Sequence, residues 1–152
     1  MGASSIRDKG NRPWFWFTDV GLPLFLGGLT YLLWRDGLLM FSWAEAMGLG
    51  AALQSAREVA EPLRTWIPAW WLYSFPDGAW VYAYTAHFGL IWRGTSRGRP
   101  LVALGAILGL GGEFGQAFGI VPGTFSWPDV LAMVAATVVA FRRLHHLEAP
   151  VA

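Results

Sequence analysis

The chain has 152 residues, of which 55% are hydrophobic and only 14% charged, with a mean hydropathy of +0.40. That leaves room for one domain and too little polar surface for a soluble globule of this size, so the composition is that of an integral membrane protein. Eleven basic against ten acidic residues give a net charge of +1, too small a field to recruit nucleic acid, and the absence of cysteine excludes disulfides, thiolate metal sites and cysteine nucleophiles.

Residues 1–13 form a short polar tail carrying Arg7, Lys9 and Arg12. No small-residue cleavage site follows the next apolar stretch, so that stretch is expected to be a retained anchor rather than a cleaved signal. From Trp14 to Trp34 the chain is apolar apart from Asp19, with Trp14 and Trp16 at one end and Tyr31 and Trp34 at the other, in the manner of interfacial belts. This predicts a first transmembrane helix over 14–34, with Asp19 near the interface.

Residues 42–61 read as a single amphipathic helix lying at the outer interface, with a re-entrant segment as the alternative. Ser42-Trp43-Ala44-Glu45 has capping-box spacing, Pro62 closes the run, and Gln54, Glu58 and Glu61 share a face. A second aromatic belt, Trp66, Trp70, Trp71 and Tyr73, precedes a helix expected over 77–92. The basic turn with Arg93, Arg97 and Arg99 leads to a helix over 100–120, and a Pro122-Gly123-Thr124 turn leads to a last helix over 127–144, followed by a tail at 145–152. Basic residues stand in the N-terminal tail, between helices two and three and after helix four, and are missing from the turn between three and four. By the positive-inside bias that pattern predicts an all-α bundle of four transmembrane helices plus one interfacial helix, with both termini cytoplasmic.

Polar residues inside such runs are costly and therefore informative. Ser74-Phe75-Pro76-Asp77 and Ser126-Trp127-Pro128-Asp129 are the same device, with Ser as N-cap, Pro in the first turn and Asp at the third helical position. Helix initiation alone explains both. Glu113 and Gln116 share a helical face within a glycine-rich run, Gly105 to Gly119, that lets backbones approach closely. They read either as an interhelical tie or as a site, and a hairpin at Pro122-Gly123 puts them level with Asp129 and Asp77 toward the outer face. His87, on the order of 15 Å into helix two, is a secondary candidate, and as a lone buried His it also reads as structural.

Glu113-x-x-Gln116, a short turn, Asp129 at the head of a final helix and an earlier Asp77 resemble the VanZ-like small membrane proteins. The segments Tyr73-Ser74-Phe75-Pro76-Asp77-Gly78-Ala79-Trp80 and Pro122-Gly123-Thr124-Phe125 look like a divergent branch of that group, over about residues 70–140. Where the family tends to place a His four residues after the first Asp, this chain has Val81. Where the family tends to place an Asn after the last Asp, Met133 and Ala135 stand. The resemblance implies a multi-pass protein of the bacterial cytoplasmic membrane, named for lowered sensitivity to a lipophilic glycopeptide antibiotic and without an established reaction.

The sequence supplies no nucleophile-and-base spacing, metal cluster or phosphate loop, so no catalytic residue and no cofactor is expected. The expected function is an outer-leaflet polar pocket of Glu113, Gln116, Asp129, Asp77 and Thr124 that binds or protects a cell-envelope lipid or wall-related molecule. Membrane lipid is then the partner. The alternative, suggested by ten Trp and little soluble mass, is a structural or assembly subunit whose partners are other membrane proteins. A transporter using Glu113 and His87 is a third reading, against which four short helices make a small bundle for alternating access.

Overall fold

The computed structural model describes residues 13–35, 39–92 and 98–148, with side chains over 14–35, 41–92 and 100–145. Every regular element among them is helical. The first rod begins as α1 (Pro13–Trp16), widens into a π-turn at Phe17–Gly21 and resumes as α2 (Leu22–Trp34). Leu22 N–H reaches back five residues to Phe17 O, and Pro23, which has no N–H to give, follows directly. The wider turn falls where the ordinary ladder would be broken anyway.

The expected single helix over 42–61 is two helices, α3 (Leu39–Ala46) and α4 (Gly50–Ala60). Gly48, at φ +76°, ends α3, with Gly48 N–H on Glu45 O at 2.9 Å and Leu49 N–H on Ala44 O at 2.8 Å. Those paired bonds and the left-handed glycine between them are a Schellman stop. Ser42 therefore lies inside α3 and does not cap a helix. A 3-10 turn (Glu61–Trp66) carries Pro62 in its first turn, and α5 (Ala69–Tyr73) leads into α6 (Phe75–Ile91). The hairpin that follows is α7 (Gly98–Ala117) and α8 (Trp127–Glu148). Helix α7 stops three residues before the expected 120, again on a left-handed glycine, Gly119, with Ile120 N–H on Gly115 O at 2.8 Å.

Helix α6 is the centre. Gly78, Ala79, Val81, Ala83, Thr85, Ala86 and Gly89 are buried over most of its circumference, leaving Trp80 half exposed, as suits a helix with no polar face. It packs against α8, α7 and α2, while α2 also meets α4, to which Trp34 Nε1–H is tied through Ala60 O at 3.1 Å. Glycine sets the spacing at two crossings. A Cβ on Gly78 would sit 3.1 Å from Ala132 O, and one on Gly109 2.7 Å from Met133 Sδ. Gly111, Gly112 and Gly119 face open space and bring no backbones together.

The outward faces stay apolar: Phe25 on α2, Ile107 and Leu108 on α7 and Leu131 and Val139 on α8 are all more than half exposed. Among the described residues, one helical stretch is long and apolar enough to cross a membrane, Trp14–Trp34, with mean hydropathy 1.3.

Gly78→Leu should push α6 from α8 and lower stability by about 1–3 kcal/mol. Gly111→Ala, in open space within a helix, should be neutral or stabilising by up to about 1 kcal/mol. Thermal melting of the two variants in detergent checks the contrast, and equal melting temperatures would refute this account of the packing.

Candidate functional site

Two polar clusters lie at opposite ends of the bundle. At one end the heads of α6 and α8 meet the tails of α2 and α7, which brings Asp77, Asp129, Tyr31 and Glu113 toward one another. Tyr31 Oη–H donates a short hydrogen bond to Asp77 Oδ1. Arg35 lies over the Tyr31 ring, 5.3 Å from its centroid, and at 5.5 Å from that of Tyr73. Asp77 is within electrostatic reach of Asp129, Arg35 and Glu113.

The two Ser-x-Pro-Asp starts do not close as capping boxes. Ser74 makes no side-chain cap bond at α6, and Asp77, instead of turning back, is held by Tyr31. At α8 the backbone N–H of Ser126 donates to Glu113 Oε2 at 3.0 Å. A carboxylate from another helix thus takes the place that Asp129, third in its helix, would fill in a local box. Asp129 Oδ1 is left buried with no hydrogen-bond partner among the described residues. Glu113 itself is 9% exposed. A lipid-facing carboxylate there would cost about 3 kcal/mol.

The expected site residues are therefore placed unequally. Glu113, Asp129 and Asp77 converge, through charge and helix-end contacts rather than through hydrogen bonds to one another. Gln116 turns away, its Nε2 reaching Pro122 O at 3.5 Å over Gly123, whose φ of +136° and missing Cβ leave the space. Thr124 is exposed in the connection to α8. His87 is remote from this end, packed edge-on against Trp16 and Phe88 with ring centroids 5.2 Å away in each case. Among the described residues no three His, Cys, Asp or Glu side chains are arranged to hold a metal ion. What the arrangement can do is attract a cation: three carboxylates against Arg35 leave a formal excess of two negative charges, and Asp129 Oδ1 is an acceptor awaiting a donor.

At the other end is a cluster that the sequence reading did not assemble. Asp19, 5% exposed, sits in the π-turn and accepts from Tyr82 Oη–H at 2.7 Å and from Arg143 Nε–H at 3.2 Å, both on Oδ1, while Thr18 Oγ1–H donates to Oδ2 at 2.9 Å. The guanidinium of Arg143 also lies over Phe15, 5.3 Å from the ring centroid. The signal was present, since a carboxylate inside an apolar helix needs a partner and the end of the last helix offers Arg142 and Arg143. Tyr31, which the sequence places only in an aromatic belt, and Arg35 also belong to the first cluster.

Glu113→Gln keeps an acceptor for Ser126 N–H and should cost under about 1 kcal/mol, whereas Glu113→Leu strands that donor at a cost of about 1–3 kcal/mol. Melting temperatures of the two purified variants give the comparison. If Leu proves as stable as Gln, the bond to Ser126 does not hold the hairpin.

No family model matches the chain, and no curated protein or solved structure matches it.

Proposed function

We propose that this is a VanZ-like protein of the bacterial cytoplasmic membrane whose four long helical rods all span the bilayer. In this reading its outward-facing acidic cluster binds an envelope lipid or wall-related molecule through a cationic or hydrogen-donating group. The observation that carries the site is Asp129, whose buried Oδ1 lacks a partner beside Asp77 and Glu113. Burying an acceptor unpaired costs free energy that a ligand donor would recover. Support for embedding comes from the exposed apolar side chains around α2, α7 and α8, an outer surface suited to lipid and not to water. The hydropathy of Trp14–Trp34 supports the same reading, as does the absence of Lys and Arg from the turn between α7 and α8.

The amphipathic α4 then lies on the outer surface beside the end of α2, with Val59 80% exposed and Gln54 and Glu58 bonded to one another at 3.1 Å. An assembly subunit is the second reading. The exposed Trp14, Trp43, Trp66, Trp80 and Trp127 favour it, being more aromatic surface than a lone small bundle needs.

Topology is checked with single cysteines in intact cells. An impermeant thiol reagent should label Ser55→Cys and Thr124→Cys from outside, and Arg142→Cys only after permeabilisation. Labelling of all three alike would remove the four-span arrangement.

Function is checked in a glycopeptide-sensitive bacterial host. Expression of the chain should raise the inhibitory concentration of a lipophilic glycopeptide, and Asp129→Asn or Glu113→Gln should abolish the gain while the protein still accumulates in the membrane. Full tolerance with both variants would show that the cluster is only a structural tie. A stoichiometric protein partner on purification, with no effect on tolerance, would favour the assembly subunit.

A further inference from the structure

Beside the rod formed by α1 and α2 runs a groove of about 430 Å³, walled by Leu22 and Leu26 on one side and Ala136 and Val139 on the other, with Trp70 at its outer end. That is the size of a small-molecule cleft. Apart from Tyr82 its lining is apolar, the kind of surface along which a flexible hydrocarbon chain lies.

The groove also has a polar end. Tyr82 lines it, and its hydroxyl meets the same Asp19 oxygen that receives Arg143 Nε–H. Val139, one helical turn before Arg143, lines it as well. Arg143 spends only Nε on Asp19. Its two Nη nitrogens have no hydrogen-bond partner among the described residues, and the side chain is 47% exposed. A guanidinium with its fork free matches a phosphate in geometry and charge. With the adjacent exposed Arg142, the two arginines against Asp19 leave one net positive charge.

We propose that this groove holds an acyl chain of an anionic glycerophospholipid from the inner leaflet, with the lipid phosphate bound by the Arg143 fork and Arg142. The assignment rests on the membrane-embedded reading above but not on the acidic cluster at the opposite end. A zwitterionic lipid would fill the groove equally well and offer the fork the same phosphate, but its choline cation would be repelled by the net positive charge that the two arginines leave. A free phosphate would find the arginines but gain nothing from the groove.

The test uses the full chain, expressed in membranes and purified in mild detergent. Retention through alkaline extraction comes first; release of the chain there would sink the membrane reading and this proposal together. Phosphatidylglycerol and phosphatidylcholine with identical acyl chains are then offered in equal amounts, and bound lipid is counted by native mass spectrometry. The wild-type protein should keep one phosphatidylglycerol with a preference of about tenfold or more, because the net positive charge beside the phosphate repels the choline of the competitor. Water-soluble glycerol phosphate should not displace it.

Asp19→Asn combined with Arg142→Gln and Arg143→Gln keeps an acceptor for Tyr82 and leaves the site without charge, so it should fold and lose the preference. Ala136→Phe should fill the groove and lose both lipids. Equal binding of the two lipids by the wild type, displacement by glycerol phosphate, or a protein found in place of the lipid would each overturn the proposal, and none of these depends on a variant folding. A preference that survives in the folded triple variant would overturn it too.

Discussion

A helix without a polar face can be satisfied only by neighbours all round it, and α6 imposes that condition on the whole chain. Gly78, Ala79, Ala83, Ala86 and Gly89 keep its surface small, so α8, α7 and α2 can each come close. If the helices lie in lipid, as proposed, there is little hydrophobic driving force between them, and close van der Waals contact over small residues is what remains. The same condition fixes where polar groups can go. Most side chains on α6 point at another helix, so Asp77 meets Tyr31 at one end and Tyr82 meets Asp19 toward the other. The two clusters are consequences of one buried rod.

The repeated Ser-x-Pro-Asp start shows how local and tertiary demands compete. Each motif could close on itself, with the carboxylate turning back to the capping residue. In neither helix does it do so. Tyr31 takes Asp77, and Glu113 supplies the acceptor at Ser126, which releases Asp129 into the interior of the cluster. Three like charges brought together repel, and Arg35 compensates only part of that repulsion.

Much of this was legible in the sequence. The starts of α6 and α8 followed from Pro76 and Pro128, whose missing N–H is harmless only in a first turn, and both helices begin within two residues of expectation. The meeting of Asp77, Glu113 and Asp129 followed from helix direction and the Pro122-Gly123 turn. The break at Gly48 was missed because Met47-Gly48-Leu49-Gly50 reads as apolar filling, although glycine after a helical run is a standard stop signal. Gln116 turns away from the cluster because Gly123, with no Cβ and a φ of +136°, leaves its side chain room beside Pro122 O. The partners of Asp19 lie 63 and 124 residues away along the chain, a separation at which periodicity carries no information.

The π-turn at Phe17–Gly21 acts as a phase shift in the first rod. A π-turn holds one residue more than the α-turn it replaces, so removing a single residue there would rewind the rod into plain α-helix. Everything on the N-terminal side would then swing by about 100° about the axis relative to everything after it. Phe15, Trp16 and Asp19 would lose their present bearings on Arg143, His87 and Tyr82, while Leu26, Gly27 and Tyr31 kept theirs. The first rod therefore carries two independent angular registers, one for each end of the bundle, and five residues of wider helix are what allow a single segment to satisfy both.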